Sequence, residues 1–287
     1  MLIEVMVPGS CGEIAQGWRN GQPYMITCPV GFYSRAVVTD RTSVKSGFGT
    51  KARAALKTTY TYLGETHFPY GVTLESQLPT GKGMAASSAD VAAVIVAAGA
   101  AYGERLLPEE VGELAAGIEP TDGIFYPGIA DMNYMTGDLN KSYEDVPKMI
   151  ISMFDTGGKI NTVEFHSSYD ENHAMKESSP ELLNAIDDLD NGVPPEKLAK
   201  IAVLSARENQ SVLEKPHYEE ILEYAQSLGA LGVNVAHSGT MIGIMWRPDD
   251  SMKNVVEAAK KIGEKFPFLE YFETDRLISG GFTVRRY

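Results

Sequence analysis

The sequence predicts an α+β fold in two lobes, built on mostly antiparallel strands. Three observations predict it. The β-rich runs "LIEVMV" (2–7), "PYMITCPV" (23–30) and "YSRAVVTD" (33–40) lie close together, as adjacent antiparallel strands do. The second half alternates helical stretches with a strand–turn–strand pattern at "GVNVAHSGTMIGIMW" (232–246). A polar connection, "HSSYDENHAMKESS" (166–179), lies between the halves, which places the division near residues 140–165.

The elements follow in order. "LIEVMV" reads as a strand and "PGSCGE" (8–13) as the turn after it. Residues 51–63 suit a helix. "GVTLESQL" (71–78) alternates apolar and polar residues as a half-buried strand does. "LPTGKGMAASSAD" (78–90) opens a long Ala/Val-rich helix that runs to about residue 102. Residues 108–117 start with Pro and acids and end in Gly, a helix signature. "EPTDGIFYPGIADMNYMTG" (119–137) is loop-rich, and "KMIISMF" (148–154) is a strand. Helices are predicted at 180–191, 195–213, 217–228 and 251–266, and the chain ends in β-like "GGFTVRRY".

Composition narrows the function. The 287 residues are 44% hydrophobic and 22% charged, an ordinary globular balance. A net charge of −13 argues against nucleic acid as a partner. It does not exclude a nucleotide, because backbone N–H groups and a metal ion can supply the positive field. Cys11 and Cys28 read as reduced thiols, not a disulfide framework. The start "MLIEVMVPGSCGE" has no basic n-region, and the apolar run 84–102 is mostly alanine with Ser87, Ser88 and Asp90 inside it. Neither a signal peptide nor a membrane span is expected, and the cytoplasm is the predicted compartment.

The stretch at 78–90 carries the first functional signal. A helix start exposes unpaired N–H groups and the positive end of the macrodipole, a ready anion site. Gly81 and Gly83 let backbone approach a bulky ligand, Lys82 adds charge, and Ser87 and Ser88 add hydroxyls for phosphate or metal. Helix capping by the serines explains the same residues without a ligand. Neither a Walker A loop nor a Rossmann glycine fingerprint is present.

Pro79, Gly83, Met84, Ser87 and Ser88 resemble the second motif of the GHMP small-molecule kinases, Pro-x-x-x-Gly-Leu-x-Ser-Ser-Ala, with Ala86 in place of the first Ser. "VPGSCGEIAQG" (7–17) resembles the first motif, with Ser10 where the family has lysine. "AHSGTMIG" (236–243) sits where the glycine-rich third motif belongs. With "EPTD", these variants look most like the threonine-phosphorylating branch, which serves cobalamin synthesis.

The resemblance implies a fold and a set of roles. The fold would pair an N-terminal ribosomal protein S5 domain 2-like lobe (1–145, ATP-binding) with a C-terminal ferredoxin-like lobe (146–287), the site lying in the cleft between them. ATP with Mg²⁺ would be the cofactor and L-threonine the partner, made into O-phospho-L-threonine. Pro79, Gly81, Lys82, Gly83, Met84, Ala85, Ala86, Ser87 and Ser88 would wrap the phosphates. Ser87 and Glu119 would hold Mg²⁺, and Ser87 and Asp122 would act in catalysis, Asp122 as base or orienting group. Ser10, Glu13, His237, Ser238, Gly239 and Thr240 would line the acceptor side, with Thr162 as a further contact.

Other readings of the same residues stay open. Glu119 capping a loop and Asp122 making an Asx-turn would need no ligand. Arg35 or Arg207 could hold a substrate carboxylate or simply be solvated. The acceptor could be homoserine or a sugar, or the protein a sensor without turnover. The assembly is a monomer or a homodimer.

Overall fold

The computed structural model describes residues 1–41, 45–158 and 176–287; Thr162 and most of the 166–179 connection lie outside them. Strands β1 (Leu2–Arg19) and β2 (Gln22–Thr39) form a long antiparallel hairpin at the centre of one sheet network. β3 (Lys45–Ser46) and β4 (Gly71–Ser76) extend it on the β2 side, β3 running parallel to β4. β5 (Ile129–Met132) and β6 (Leu139–Tyr143) branch from the far end of β2. β7 (Ile150–Asp155), β8 (Gly232–Val235), β9 (Met241–Trp246) and β10 (Glu270–Arg276) continue the sheet on the β1 side in the order β8-β9-β7-β10. β11 (Thr283–Arg286) returns to pair with the start of β1.

The helices are α1 (Thr50–Tyr62), α2 (Ala86–Ala101), α3 (Pro108–Ala116), α4 (Pro180–Asp187), α5 (Pro195–Asn209), α6 (Tyr218–Ser227) and α7 (Met252–Lys265). α2 is buried at every residue except Ser87 and Asp90. Its alanine content now has a cause: small side chains let a helix sit among α1, α3, β1 and β2. A second apolar cluster packs α6 and α7 against β7, β8 and β9 around Phe154, Tyr218 and Trp246. No described helix is long and apolar enough to cross a membrane.

Two local expectations fail for one reason. "PGSCGE" is not a turn; it lies within β1, which stays paired with β2 through register shifts after Pro8, Ser10 and Glu13. Gly12 absorbs the irregularity at φ +54°, and a Cβ there would meet the Val235 carbonyl oxygen at 2.5 Å. The two runs expected as separate strands at 23–30 and 33–40 are likewise one strand, β2. Bulges imitate turn chemistry in a sequence, because both need glycine and small polar residues. The bulged part of β1 also carries its pairing with β8, where Glu13 pairs with Val235.

Candidate active site

The 78–90 stretch builds a loop stitched from both sides. Ser10 N donates to Met84 O (3.1 Å) and Gly12 N to Gly83 O (3.0 Å). Thr240 N and Met241 N both donate to Lys82 O at 2.9 Å. Carbonyls 82–84 are thereby drawn outward, and in a trans peptide the following N–H groups point the opposite way. Gly81, Gly83 and Ala85 all take positive φ, and Ala85 caps α2 without a side-chain bond. The expected serine cap is therefore absent, and the start of α2 keeps its backbone donors available.

This loop walls a cavity of about 430 Å³ with the start of α1 and the segment 119–122. Pro79, Gly81, Gly83, Met84, Ala85, Ala86, Ser87 and Ser88 line it, as do Glu119, Asp122, Glu13 and Ser238. Ser87 Oγ donates to Glu119 Oε1, and Lys51 Nζ contacts Glu119 Oε2. Lys51 is a site residue that the sequence did not reveal; a lone lysine at a helix start matches no motif spacing.

Asp122 sits on the cavity floor. Ser88 Oγ donates to Asp122 Oδ2 (2.9 Å) and accepts from Asp122 N (3.0 Å). Burial pushes the Asp122 carboxyl up to about 7, and the nearby negative charge of Glu13 adds to the effect. Ser88 opposes the shift by donating to the ionised form. A carboxyl held near neutrality beside a cleft has the proton affinity of a general base.

Behind Glu13 lies a buried relay. Glu13 Oε2 accepts from His237 N (2.8 Å) and faces His237 Nδ1 (2.9 Å). His237 Nε2 lies 2.9 Å from Ser205 Oγ, which accepts from Gln16 N (3.1 Å). Ser205 Oγ thus bridges Gln16 N and the Nε2 side of the imidazole, while the Nδ1 side faces Glu13. Glu13 is only 4% exposed, so it is no surface acid.

Other expected site residues lie elsewhere. Ser10 Oγ is spent inside the hairpin on Gly12 O (2.5 Å) and Cys28 O (3.0 Å), because its side chain points into the β1–β2 layer. Lys82 turns away from the cavity to pair with Asp155 and to donate to Gly158 O (2.6 Å). Gly239 packs on the loop, where a Cβ would meet Gly83 Cα at 2.4 Å. Thr240 is buried and contributes its backbone to the stitching. Arg35 is held by Glu4 and Glu75, and Arg207 is doubly bonded to Glu219 at 2.8 Å, so both guanidinium groups are engaged outside the cavity. Cys11 and Cys28 are buried free thiols, and burial raises both above the usual thiol range.

The arrangement has known counterparts. The profile of the GHMP kinases N terminal domain matches residues 50–132, and that of the GHMP kinases C terminal region matches 194–265. The chain belongs to the GHMP kinases. As a GHMP kinase it is a small-molecule kinase, and the family implies ATP as phosphoryl donor. The chain is 27% identical to the L-threonine kinase of Citrobacter freundii over 243 residues, 83% of this chain and 84% of that one. It is also 27% identical to the L-threonine kinase of Salmonella typhimurium strain LT2 over 263 residues, 90% and 87% of the two chains. The Methanococcus jannaschii mevalonate kinase structure superposes with a TM-score of 0.70 over 97% of this chain and 98% of that one, at 15% identity. That likeness speaks for the fold alone.

Proposed function

We propose that this GHMP kinase phosphorylates the side-chain hydroxyl of L-threonine with ATP, giving O-phospho-L-threonine for the aminopropanol linker of cobalamin. The observation that carries the chemistry is Asp122, a carboxyl held near neutral pH within one cavity with the phosphate loop. The two curated relatives named L-threonine kinase support the choice of acceptor. The cavity walls come from residues 1–145 except for Ser238, in keeping with a nucleotide-binding lobe at 1–145 and a second lobe at 146–287.

In this reading the backbone N–H groups of 83–88 receive the triphosphate. Ser87 and Glu119 are hard oxygen donors in contact with each other, a donor set that fits Mg²⁺, which binds through one or two protein oxygens plus phosphates and water. Bound there, Mg²⁺ would neutralise charge on the phosphates. Lys51 then has two partners to choose between, Glu119 and a phosphate oxygen. Asp122 takes the proton of the acceptor hydroxyl, and Ser88 holds the carboxylate so that one oxygen faces the cavity. Glu13, held in place by its two contacts with His237, offers a counter-charge to the acceptor ammonium.

A coupled ADP-release assay over L-threonine, L-serine, L-homoserine and galactose tests the proposal. Turnover greatest with threonine is the expected result. Preference for another alcohol would overturn the threonine assignment, and ligand binding without ADP would make the protein a sensor.

A further inference from the structure

The cavity walled by the 78–90 loop has an unbalanced charge. Four carboxylates line it, those of Glu13, Asp90, Glu119 and Asp122, and among the described residues that line it Lys51 is the single cation. Lys51 stands in the first turn of α1, after an N-cap, Gly49, that makes no side-chain bond. A cation there opposes the helix macrodipole, whose positive end favours acids. The first turn of α1 holds no acid to offset it. The helix therefore does not account for a lysine at this position; what its ammonium touches does.

That contact is Glu119, and both of its carboxylate oxygens are taken: Oε1 by the Ser87 hydroxyl and Oε2 by Lys51 Nζ. Its backbone is fixed by the bond from Glu119 N to Ala115 O (3.1 Å). Ser87 and Glu119 are the donors read above for Mg²⁺, so Lys51 holds an oxygen that a metal ion would use. The two partners differ in freedom. The Lys51 side chain is 38% exposed and that of Glu119 8%. An ion pair with one member largely in water is weak, so the lysine can leave while the carboxylate stays. A divalent ion arriving alone would strand the displaced ammonium beside a dication. A nucleotide brings phosphate oxygens to the same cavity, and the ammonium then exchanges one anionic partner for another.

We infer that Lys51 is a positioning residue, an internal counter-ion that closes the Ser87–Glu119 pair to a free divalent cation and yields it when the cation arrives with a polyphosphate. The inference rests on the reading above that Ser87 and Glu119 receive the metal. It places the coupling between metal and nucleotide partly in one side chain, outside every motif of the sequence, and such coupling is reciprocal.

The test is a pair of binding titrations on the free enzyme, Mn²⁺ alone by EPR and a metal-free nonhydrolysable ATP analogue by calorimetry. Wild type, Lys51→Met and Arg53→Met are compared; Arg53 is exposed, two residues along α1, and does not line the cavity. Lys51→Met should bind Mn²⁺ about tenfold or more tighter than wild type, and the analogue about fivefold or more weaker. Arg53→Met removes a like charge from the same helix end without touching Glu119, so it should change either affinity by less than about twofold. The inference is overturned if Lys51→Met fails to tighten Mn²⁺, if it binds the analogue as wild type does, or if Arg53→Met matches it, the mark of a general field. Glu119→Gln separates the inference from the reading beneath it. Mn²⁺ lost in Glu119→Gln with no gain in Lys51→Met leaves the metal donors standing and removes the counter-ion. A gain in Lys51→Met that survives the added Glu119→Gln puts the ion elsewhere and removes both.

Discussion

Ser88 and Asp122 are joined twice: the serine hydroxyl donates to Asp122 Oδ2 at 2.9 Å and accepts from Asp122 N at 3.0 Å. The pair ties the first turn of α2 to the "EPTD" segment and fixes both the backbone and the carboxylate of Asp122. Ser88 thus does more than start a helix, and Ser87, its neighbour, faces Glu119 instead.

Asp122→Asn preserves the shape of this pair and removes the base. Turnover should fall by about 10²- to 10⁴-fold, the usual worth of general-base help. ATP affinity should change little, since the 78–90 loop is untouched. Steady-state kinetics with a separate nucleotide-binding titration checks both halves.

The pH profile follows from the position of the same carboxyl. Asp122 must be ionised to act, and its proton leaves near pH 7 in the free enzyme. kcat/KM should therefore rise with pH up to about 7 and level off above it. Glu13→Gln removes a like charge and should move this limb to lower pH. Because burial is the larger cause, the limb should remain above the ordinary aspartate range.

Lys82 belongs to the frame. Burial raises the Asp155 carboxyl, but bonds from Lys82, the Thr240 hydroxyl and Gly157 N outweigh it and hold Asp155 below its usual range. Lys82→Met should lower stability by roughly 1–3 kcal/mol, read as a fall in Tm, by stranding Asp155. The KM for ATP should shift less than threefold. A tenfold rise in that KM with Tm unchanged would return Lys82 to the phosphates.

Gly83→Ala tests the close approach of the loop to the β8–β9 turn. The new methyl would lie 2.2 Å from Ala236 Cβ at a backbone φ of +85°. Loss of stability and at least a tenfold rise in the KM for ATP are expected. Gly64→Ala supplies the control, with φ +78° and nothing within 4 Å, so only the strain of about 1 kcal/mol should appear.

Lys215 is 2% exposed, and burial lowers its ammonium to about 8 while Glu13 opposes the shift. Below pH 8 the folded state must carry a buried charge; between about 8 and 10.5 that cost fades, because the unfolded lysine also loses its proton. Lys215→Met should therefore raise Tm at pH 7, by up to roughly 3 kcal/mol of stability, and the gain should shrink toward pH 10. Thermal melts at three pH values decide it.

Much of this was legible in the sequence, and the exceptions share a cause. Gly81 and Gly83 declared the tight loop before α2, because a turn at a helix start with positive φ needs special residues. Period-2 and period-3.6 patterns placed β4 and α7 within a few residues, and the long Ala/Val-rich run placed α2. β6 and β10 were missed, since strands such as "LNKSY" and "EYFETDR" are half-exposed and carry no apolar alternation. The hairpin bulges read as a turn in the sequence because glycine and small polar residues serve both. Lys51 and Ser205 reach the site through tertiary packing alone, from helices whose local sequence says only "helix".

The most direct test of the central claim is ³¹P NMR of the products after incubation with ATP, Mg²⁺ and L-threonine. The account predicts ADP and O-phospho-L-threonine in equal amounts, with Asp122→Asn forming little of either. ATP left intact with threonine, while another alcohol is phosphorylated under the same conditions, would contradict it.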